Sequence, residues 1–356
     1  MIEPDLLQAR FPGLAERLSR VPLAALPTPL CRATLDTGHG NADIWIKDDS
    51  ETGSVYGGNK VRKLEYLFGR IDRRRIDRVA TYGTVASNHA LATALYADQL
   101  GYRPICFLAH QTHTPLATAA LEAHLRIGTL LVPYRGNRRT RVDLQRKILQ
   151  GHRATVIPMG GSSWAGCPGF ISAGLELAAQ IDAGEMPCPH RLYVATGTMG
   201  TAAGLALGLA LAGLSTEVHA VRVSDASIAN QDVIDRLMRK SCYMLHRLDH
   251  TFPDSLYRRA RLHLRNAFFG PGYAKGTAAT DEAIAVAEAQ AGLQLERTYT
   301  GKAFAALLHD LREGSVDDAR ALFWNTYSGS PQGGQASPDT DALPDEFRGY
   351  LSAAQR

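Results

Sequence analysis

Lys60 follows a glycine pair and precedes an amphipathic run in the segment Gly57-Gly58-Asn59-Lys60-Val61-Arg62-Lys63-Leu64-Glu65. Lysines ordinarily keep a mobile charged head on the surface. Here the flexible pair presents the amine at the mouth of a helix, where a fixed amine can act as a nucleophile and form a Schiff base with a carbonyl. A plainer alternative is a helix that starts after a Gly-Gly turn, with Asn59 as its N-cap and Lys60 as an ordinary first-turn residue. Against it stands the helix dipole, which a first-turn cation opposes at a cost of about a few tenths of a kcal/mol.

A second segment offers complementary chemistry. Residues 191–194 form a short apolar strand, followed by Ala195-Thr196-Gly197-Thr198-Met199-Gly200-Thr201 and a helix-like run over 202–211. Small residues let N–H groups turn toward an anion, the helix start supplies partial positive charge, and the hydroxyls of Thr198 and Thr201 add donors. Two other readings stay open at this loop. A dinucleotide site wants Gly-x-Gly-x-x-Gly and an acid after the next strand; Asp225 follows the strand 218–223, but Ala195 stands in the first glycine place. The third is a plain strand-to-helix turn. A reactive lysine and a distant phosphate cup together describe what pyridoxal phosphate needs, one group for its aldehyde and one for its anionic tail.

Pro27-Thr28-Pro29-Leu30, Ile44-Trp45-Ile46-Lys47-Asp48-Asp49, Gly57-Gly58-Asn59-Lys60 with Arg62-Lys63-Leu64-Glu65, Ser87-Asn88-His89, the loop at 197–201 and Tyr299-Thr300-Gly301-Lys302-Ala303 occur in that order. In them the chain resembles the D-cysteine desulfhydrase and 1-aminocyclopropane-1-carboxylate deaminase group of tryptophan synthase β-type pyridoxal phosphate enzymes. The resemblance spans most of residues 25–330. It implies that Lys60 carries the cofactor and moves the α-proton, and that Gly197, Thr198, Met199, Gly200 and Thr201 hold the phosphate. Asn88, Thr300 and Thr326 are implied to contact the cofactor, Thr300 at its pyridine nitrogen. Ser87, Asn88, His89 and Tyr327 are implied to face the substrate, and Tyr273 and Tyr299 to point phenols at it. Ser87-Asn88-His89 also opens a helix after the strand 79–82, so its hydroxyl, amide and first-turn N–H groups suit a carboxylate or a phenolate, although capping alone explains Ser87.

Threonine at position 300 discriminates within the group, because the cyclopropane-opening deaminases carry glutamate there and the desulfhydrases threonine. A neutral hydroxyl makes the ring a weaker electron sink. The expected reaction is therefore β-elimination from a small amino acid, giving a 2-oxo acid and ammonia, with racemisation or ring opening as the alternatives. The pattern departs from the group at Ala86 (commonly Gln), Ala90-Leu91 (commonly Val-Arg) and Asn325-Thr326-Tyr327-Ser328-Gly329 (commonly His-Thr-Gly-Gly), which implies an altered pocket.

The elements that must position these residues read as α/β. Strand-like apolar runs at 44–46, 79–82, 105–108, 129–132, 155–157, 192–195, 218–223 and 322–325 alternate with helical patterns at 60–74, 88–100, 116–127, 138–150, 168–183, 202–211, 281–291 and 302–311. Connections of that length force parallel neighbours, with ligand sites beyond the carboxyl ends of the strands. By resemblance, residues 1–60 and 173–356 build a larger cofactor domain and 61–172 a smaller inserted α/β domain, both with open, twisted, mostly parallel sheets flanked by helices. Residues 328–335, rich in glycine and polar side chains, read as a loop near the site.

At 356 residues, 45% of them hydrophobic, the chain has room for two domains and a large core. No run approaches the roughly 18 apolar residues of a membrane helix, and the first residues lack a signal-peptide core, so a cytoplasmic location is expected. Five cysteines form no Cys-x-x-Cys pair and read as reduced thiols. A net charge of +4 is small, and the arginines at 70, 73, 74, 75 and 78 and at 135, 138, 139 and 141 lie in solvated helix ends, so no nucleic acid is expected. His110 with His113 and His246 with His250 lack an acidic or thiol partner, so no metal is expected. The resemblance adds a homodimer.

Overall fold

The computed structural model describes residues 5–135, 138–328 and 337–352. The strands are β1 (Leu30–Asp36), β2 (Asn41–Asp48), β3 (Arg78–Thr84), β4 (Arg103–Ala109), β5 (Leu130–Pro133), β6 (Ala154–Val156), β7 (Arg191–Thr196), β8 (Glu217–Arg222), β9 (Leu262–Arg265) and β10 (Ala321–Asn325). The helices are α1 (Leu6–Arg10), α2 (Pro12–Arg17), α3 (Lys60–Gly69), α4 (Asn88–Gln99), α5 (Pro115–Arg126), α6 (Arg138–Leu149), α7 (Pro168–Asp182), α8 (Gly200–Ala212), α9 (Gln231–Leu248), α10 (Ala278–Ala291), α11 (Thr300–Arg312) and α12 (Arg348–Ser352).

Two compact units divide the chain: Met1–Gly69 with Ser162–Gly329, and Arg70–Gly161 with Ser330–Arg356. These borders differ from the expected 60/61 and 172/173. Close packing explains both differences, since α3 lies so tightly on α7 that a Cβ at Gly169 would stand 1.9 Å from the Arg62 carbonyl, which keeps both helices in one unit. The end of the chain makes a third difference: Leu343, Phe347 and Tyr350 join the core around Val85, Ala90 and Leu121 instead of the larger unit.

In the larger unit the strand order is β1-β2-β10-β7-β8-β9, parallel throughout except for β1, which runs antiparallel on β2. Side chains alternate between two cores, as a sheet covered on both faces requires. Leu192, Val194, Val218 and Trp324 face α7, α8 and α9, while Tyr193, Ala195, Val221 and Phe323 face α10 and α11. The parallel ladder sets the carboxyl ends of β2 and β10 side by side, with Asn325 opposite Asp48.

Helices α7 and α8 touch through glycine. A Cβ on Gly204 would lie 2.4 Å from that of Phe170, and one on Gly208 would lie 2.4 Å from the Ile171 carbonyl oxygen. Gly208→Val must push the helices apart and is expected to destabilise the protein by about 1–3 kcal/mol, read as a lower denaturant midpoint. An unchanged midpoint would remove this contact from the account.

The smaller unit holds the parallel sheet β5-β4-β3-β6. Helices α4 and α5 cover one face, and Tyr82, Ile105, Phe107 and Val132 pack on the other. Of the expected loop at 328–335, only Ser328 lies within the described residues.

Candidate active site

Two glycines let the chain before α3 run against its neighbours. Gly58 has φ +79° and a Cβ there would meet the Thr326 carbonyl at 2.9 Å, while one on Gly57 would sit 1.8 Å from the Ser50 carbonyl. The Lys60 Nζ emerges half-buried and donates to Asn59 Oδ1 at 2.8 Å. Asn59 Nδ2 in turn donates to Thr201 Oγ1 at 3.0 Å. One amide thus joins the amine to the loop at 197–201, across 142 positions of sequence. Burial lowers the Lys60 pKa to about 8, against the pull of the Glu296 carboxylate.

Behind Lys60, α3 is anchored by buried charge. Arg62 reaches Asp49 Oδ1 at 2.9 Å and Glu176 Oε2 at 2.9 Å, and Lys47 reaches Glu176 Oε1 at 2.6 Å. Trp324 Nε1 donates to Asp49 Oδ2 at 2.8 Å. Burial pushes the Glu176 pKa up, but Arg62 and Lys47 outweigh it and hold the carboxyl at about 2.

The loop after β7 turns through Met199, a non-glycine residue at φ +71°, and α8 begins at Gly200. Gly200 N–H donates to Ser162 Oγ at 3.0 Å, and that hydroxyl shares a hydrogen bond of 2.7 Å with Thr198 Oγ1. The N–H groups of Thr198, Met199, Thr201 and Ala202 find no acceptor in the protein among the described residues. Such orphan donors at a helix start, with two hydroxyls beside them, form an anion site. Asp225, which the dinucleotide reading needs, is exposed, and its backbone carbonyl accepts the N–H groups of Ile228 and Ala229.

Tyr299 stands beside both parts. Its ring centroid lies 6.0 Å from Lys60 Nζ, and a Cβ on Gly197 would be 3.6 Å from its Cε1. Its hydroxyl bonds to that of Tyr273, and burial with the neighbouring phenol raises its pKa well above the usual tyrosine range. Glu296 ties this corner together by accepting N–H bonds from Thr298, Tyr299 and Thr300 at 2.6, 2.7 and 3.0 Å. The Thr300 hydroxyl accepts the Glu296 N–H at 3.0 Å, so part of its capacity serves the turn. Thr326 accepts the Asn59 N–H at 3.4 Å through its carbonyl, and Tyr327 follows it, half-buried.

Ser87, Asn88 and His89 belong to the smaller unit. Ser87 caps α4, its Oγ accepting the Ala90 N–H at 3.2 Å. His89 is buried with Nε2 3.0 Å from Thr81 Oγ1. The Ala86 N–H donates to Gln111 Oε1 at 3.1 Å.

Sequence reasoning gave Asn59 only a capping role and did not single out Ser162, Glu296 or Lys302. Neither Glu296, which precedes the start of α11, nor Ser162 carried a local sequence signal for these contacts. The histidine pairs serve elsewhere: His246 Nδ1 meets the Phe252 carbonyl at 2.8 Å, and His113 stacks on Tyr350. Among the described residues no cluster of three metal-ligating side chains occurs, and no helix is long and apolar enough to cross a membrane.

Because Glu296 favours the cation, Glu296→Gln is expected to lower the Lys60 pKa further, by about 1 unit. Labelling of Lys60 by an amine-reactive anhydride, followed across pH by peptide mapping, should show its midpoint fall below about 8. A midpoint that stays or rises would contradict the electrostatics described.

A half-buried amine with lowered pKa, joined through Asn59 to a helix start with free N–H groups, fits an aldehyde that carries a phosphate. The model of the family described as pyridoxal-phosphate dependent enzymes matches residues 21–326. A D-cysteine desulfhydrase of Salmonella schwarzengrund is 33% identical over 329 residues, 88% of this chain and 95% of that protein. A crystal structure titled as an ACC deaminase homologue is similar with a TM-score of 0.73 at 26% identity, covering 99% of each chain. The processed form of threonine deaminase isoform 2 from Solanum lycopersicum shares the fold, with a TM-score of 0.59 at 14% identity over 95% of this chain and 90% of that one.

Proposed function

The chain belongs to the pyridoxal-phosphate dependent enzymes, and on that premise we propose that it eliminates the β-substituent of a small amino acid of the D-cysteine kind. As a lyase or deaminase of this family it uses a cofactor that, when bound, supplies the electron sink for charge developing at the substrate Cα. The observation that carries the proposal is the hydrogen-bonded line from Lys60 through Asn59 to Thr201.

Lys60 carries the cofactor and then moves the α-proton. A pKa of about 8 leaves a useful fraction of the amine neutral at pH 7, as a base requires. The open N–H groups after β7 and the hydroxyls of Thr198 and Thr201 bind the phosphate, with Gly197, Met199 and Gly200 shaping the turn. Thr300 and Thr326 contact the ring, and Asn88 its oxygen. Tyr299, with Tyr273 hydrogen-bonded to it, donates to the departing group. The start of α4 at Ser87, with Asn88 and His89, is assigned to the substrate carboxylate, and Tyr327 to the substrate side. The neutral hydroxyl of Thr300, which relatives that open the cyclopropane ring replace by glutamate, favours elimination. The same reading makes the protein a cytoplasmic homodimer, which light scattering of the purified holoenzyme and cell fractionation test.

The deciding experiment incubates the holoenzyme with the D- and L-forms of cysteine, serine and β-chloroalanine. Release of pyruvate and ammonia, with sulfide from cysteine, is expected. Exchange of enantiomers with no 2-oxo acid from any of them would replace elimination by racemisation.

A further inference from the structure

We propose that Lys302 is a positioning residue for the reaction, its ammonium tying down the segment that carries Tyr273 and so setting that phenol against Tyr299. The inference rests on the assignment of the two phenols made above.

No strand or helix forms between β9 and α10, the stretch from which Tyr273 projects. Its backbone is irregular: Gly270 and Gly272 have φ of +68° and +154°, and Ala274, without a glycine's freedom, has φ +59°. Its own turn hydrogen bonds are long, 3.4 Å from Phe269 N to Asn266 O and 3.3 Å from Lys275 N to Gly272 O. Short bonds come from outside. Lys302 Nζ donates to the Phe269 carbonyl at 2.6 Å and to the Gly272 carbonyl at 3.0 Å. Its cation also lies 5.0 Å from the Phe269 ring centroid.

Lys302 is 0% exposed and sits in the first turn of α11, where the helix dipole opposes a cation. No carboxylate lies within ion-pair distance of it among the described residues. Burying an ammonium there is costly for stability. What the amine does instead is grip two carbonyls immediately ahead of Tyr273. Tyr299 precedes the same helix, so one rigid helix start carries one phenol and the clamp for the other. A geometry of this kind matters to a proton donor, since misplacement by about 1 Å can cost about 10²-fold in rate.

The test is a double-mutant cycle on the holoenzyme with D-cysteine, joining Lys302→Met and Tyr273→Phe, with hydrogen exchange of residues 266–277 measured in parallel. Lys302→Met is expected to lower kcat by about 10²-fold while KM changes by less than about 3-fold. In the Tyr273→Phe background it should cost less than about 3-fold more, because the phenol it positions is gone. Exchange over 266–277 should accelerate in Lys302→Met. Should that variant not fold, Lys302→Gln, which keeps a donor on a shorter neutral side chain, takes its place in the cycle. Additive losses, or unchanged exchange, overturn the clamp. If Tyr273→Phe alone costs nothing, the assignment of the phenol fails and the clamp's catalytic role with it. If the wild-type protein turns over no amino acid, the elimination reading fails, and the exchange measurement alone decides whether Lys302 holds the segment.

Discussion

Lys60→Ala is expected to lower kcat with D-cysteine by at least about 10⁴-fold, the upper end of what a positioned base supplies, because the same nitrogen also carries the cofactor. The fold should survive. Lys60 is half-buried, and the ion-pair network that anchors α3 runs through Arg62 instead. The orphan N–H groups at Thr198, Met199, Thr201 and Ala202 remain in place, so the variant should still bind the phosphate of the cofactor, now reversibly, in dialysis. Lys60→Arg separates charge from nucleophilicity. Arginine keeps the cation but does not deprotonate, so it should be as inactive as alanine. A Lys60→Ala enzyme with even one-tenth of wild-type turnover would end the account of Lys60.

The second large effect falls on stability. Glu176→Ala leaves Arg62 and Lys47, 1% and 0% exposed, short of the carboxylate that both bind. Breaking a buried pair by removing one partner typically costs about 3–5 kcal/mol, because the surviving charge is stranded. Asp49 still pairs with Arg62, while Lys47 keeps, among the described residues, the Thr28 carbonyl at 2.6 Å and Gln180 Oε1 at 2.5 Å. The pH dependence follows from the carboxyl, whose pKa falls from 4.5 to about 2 on folding. A depressed carboxyl pKa stabilises the fold above pH 4.5, and that contribution is lost as pH falls toward 2. Denaturation of the wild type should therefore steepen over that window, and Glu176→Gln should lack this component. Equal midpoints for wild type and Glu176→Ala would show that the network contributes nothing.

Candidate site residues stood out in the sequence where a backbone constraint and a reactive group sat next to each other. Gly57-Gly58 before Lys60 is such a case, because both glycines are demanded by carbonyls of Ser50 and Thr326 within 3 Å of any Cβ. The strand-to-helix turn at 197–201 was legible for the same reason. Buried parallel strands such as β7 and β8 read clearly as apolar runs. Strand β1 did not, since it is an antiparallel edge whose residues are mostly exposed or half-buried. Helix α9 went unread although Ile234, Met238, Cys242 and Leu245 mark one face at helical spacing; its many charges masked that stripe. The borders of the two compact units depend on tertiary packing, as with Gly169 under Arg62 and Phe347 in the smaller core, and no local pattern carries that. Partners such as Ser162 for Thr198, or Asn59 for Thr201, cannot be seen in sequence at all, because nothing local announces a contact 36 or 142 positions away.

Borohydride reduction of the holoenzyme followed by peptide mass mapping bears most directly on the central claim. The pyridoxyl mass should appear on the peptide containing Lys60, and on no other, in proportion to the cofactor bound. Its appearance on Lys63, Lys302 or any other lysine, or its absence from protein saturated with pyridoxal phosphate, would contradict the account.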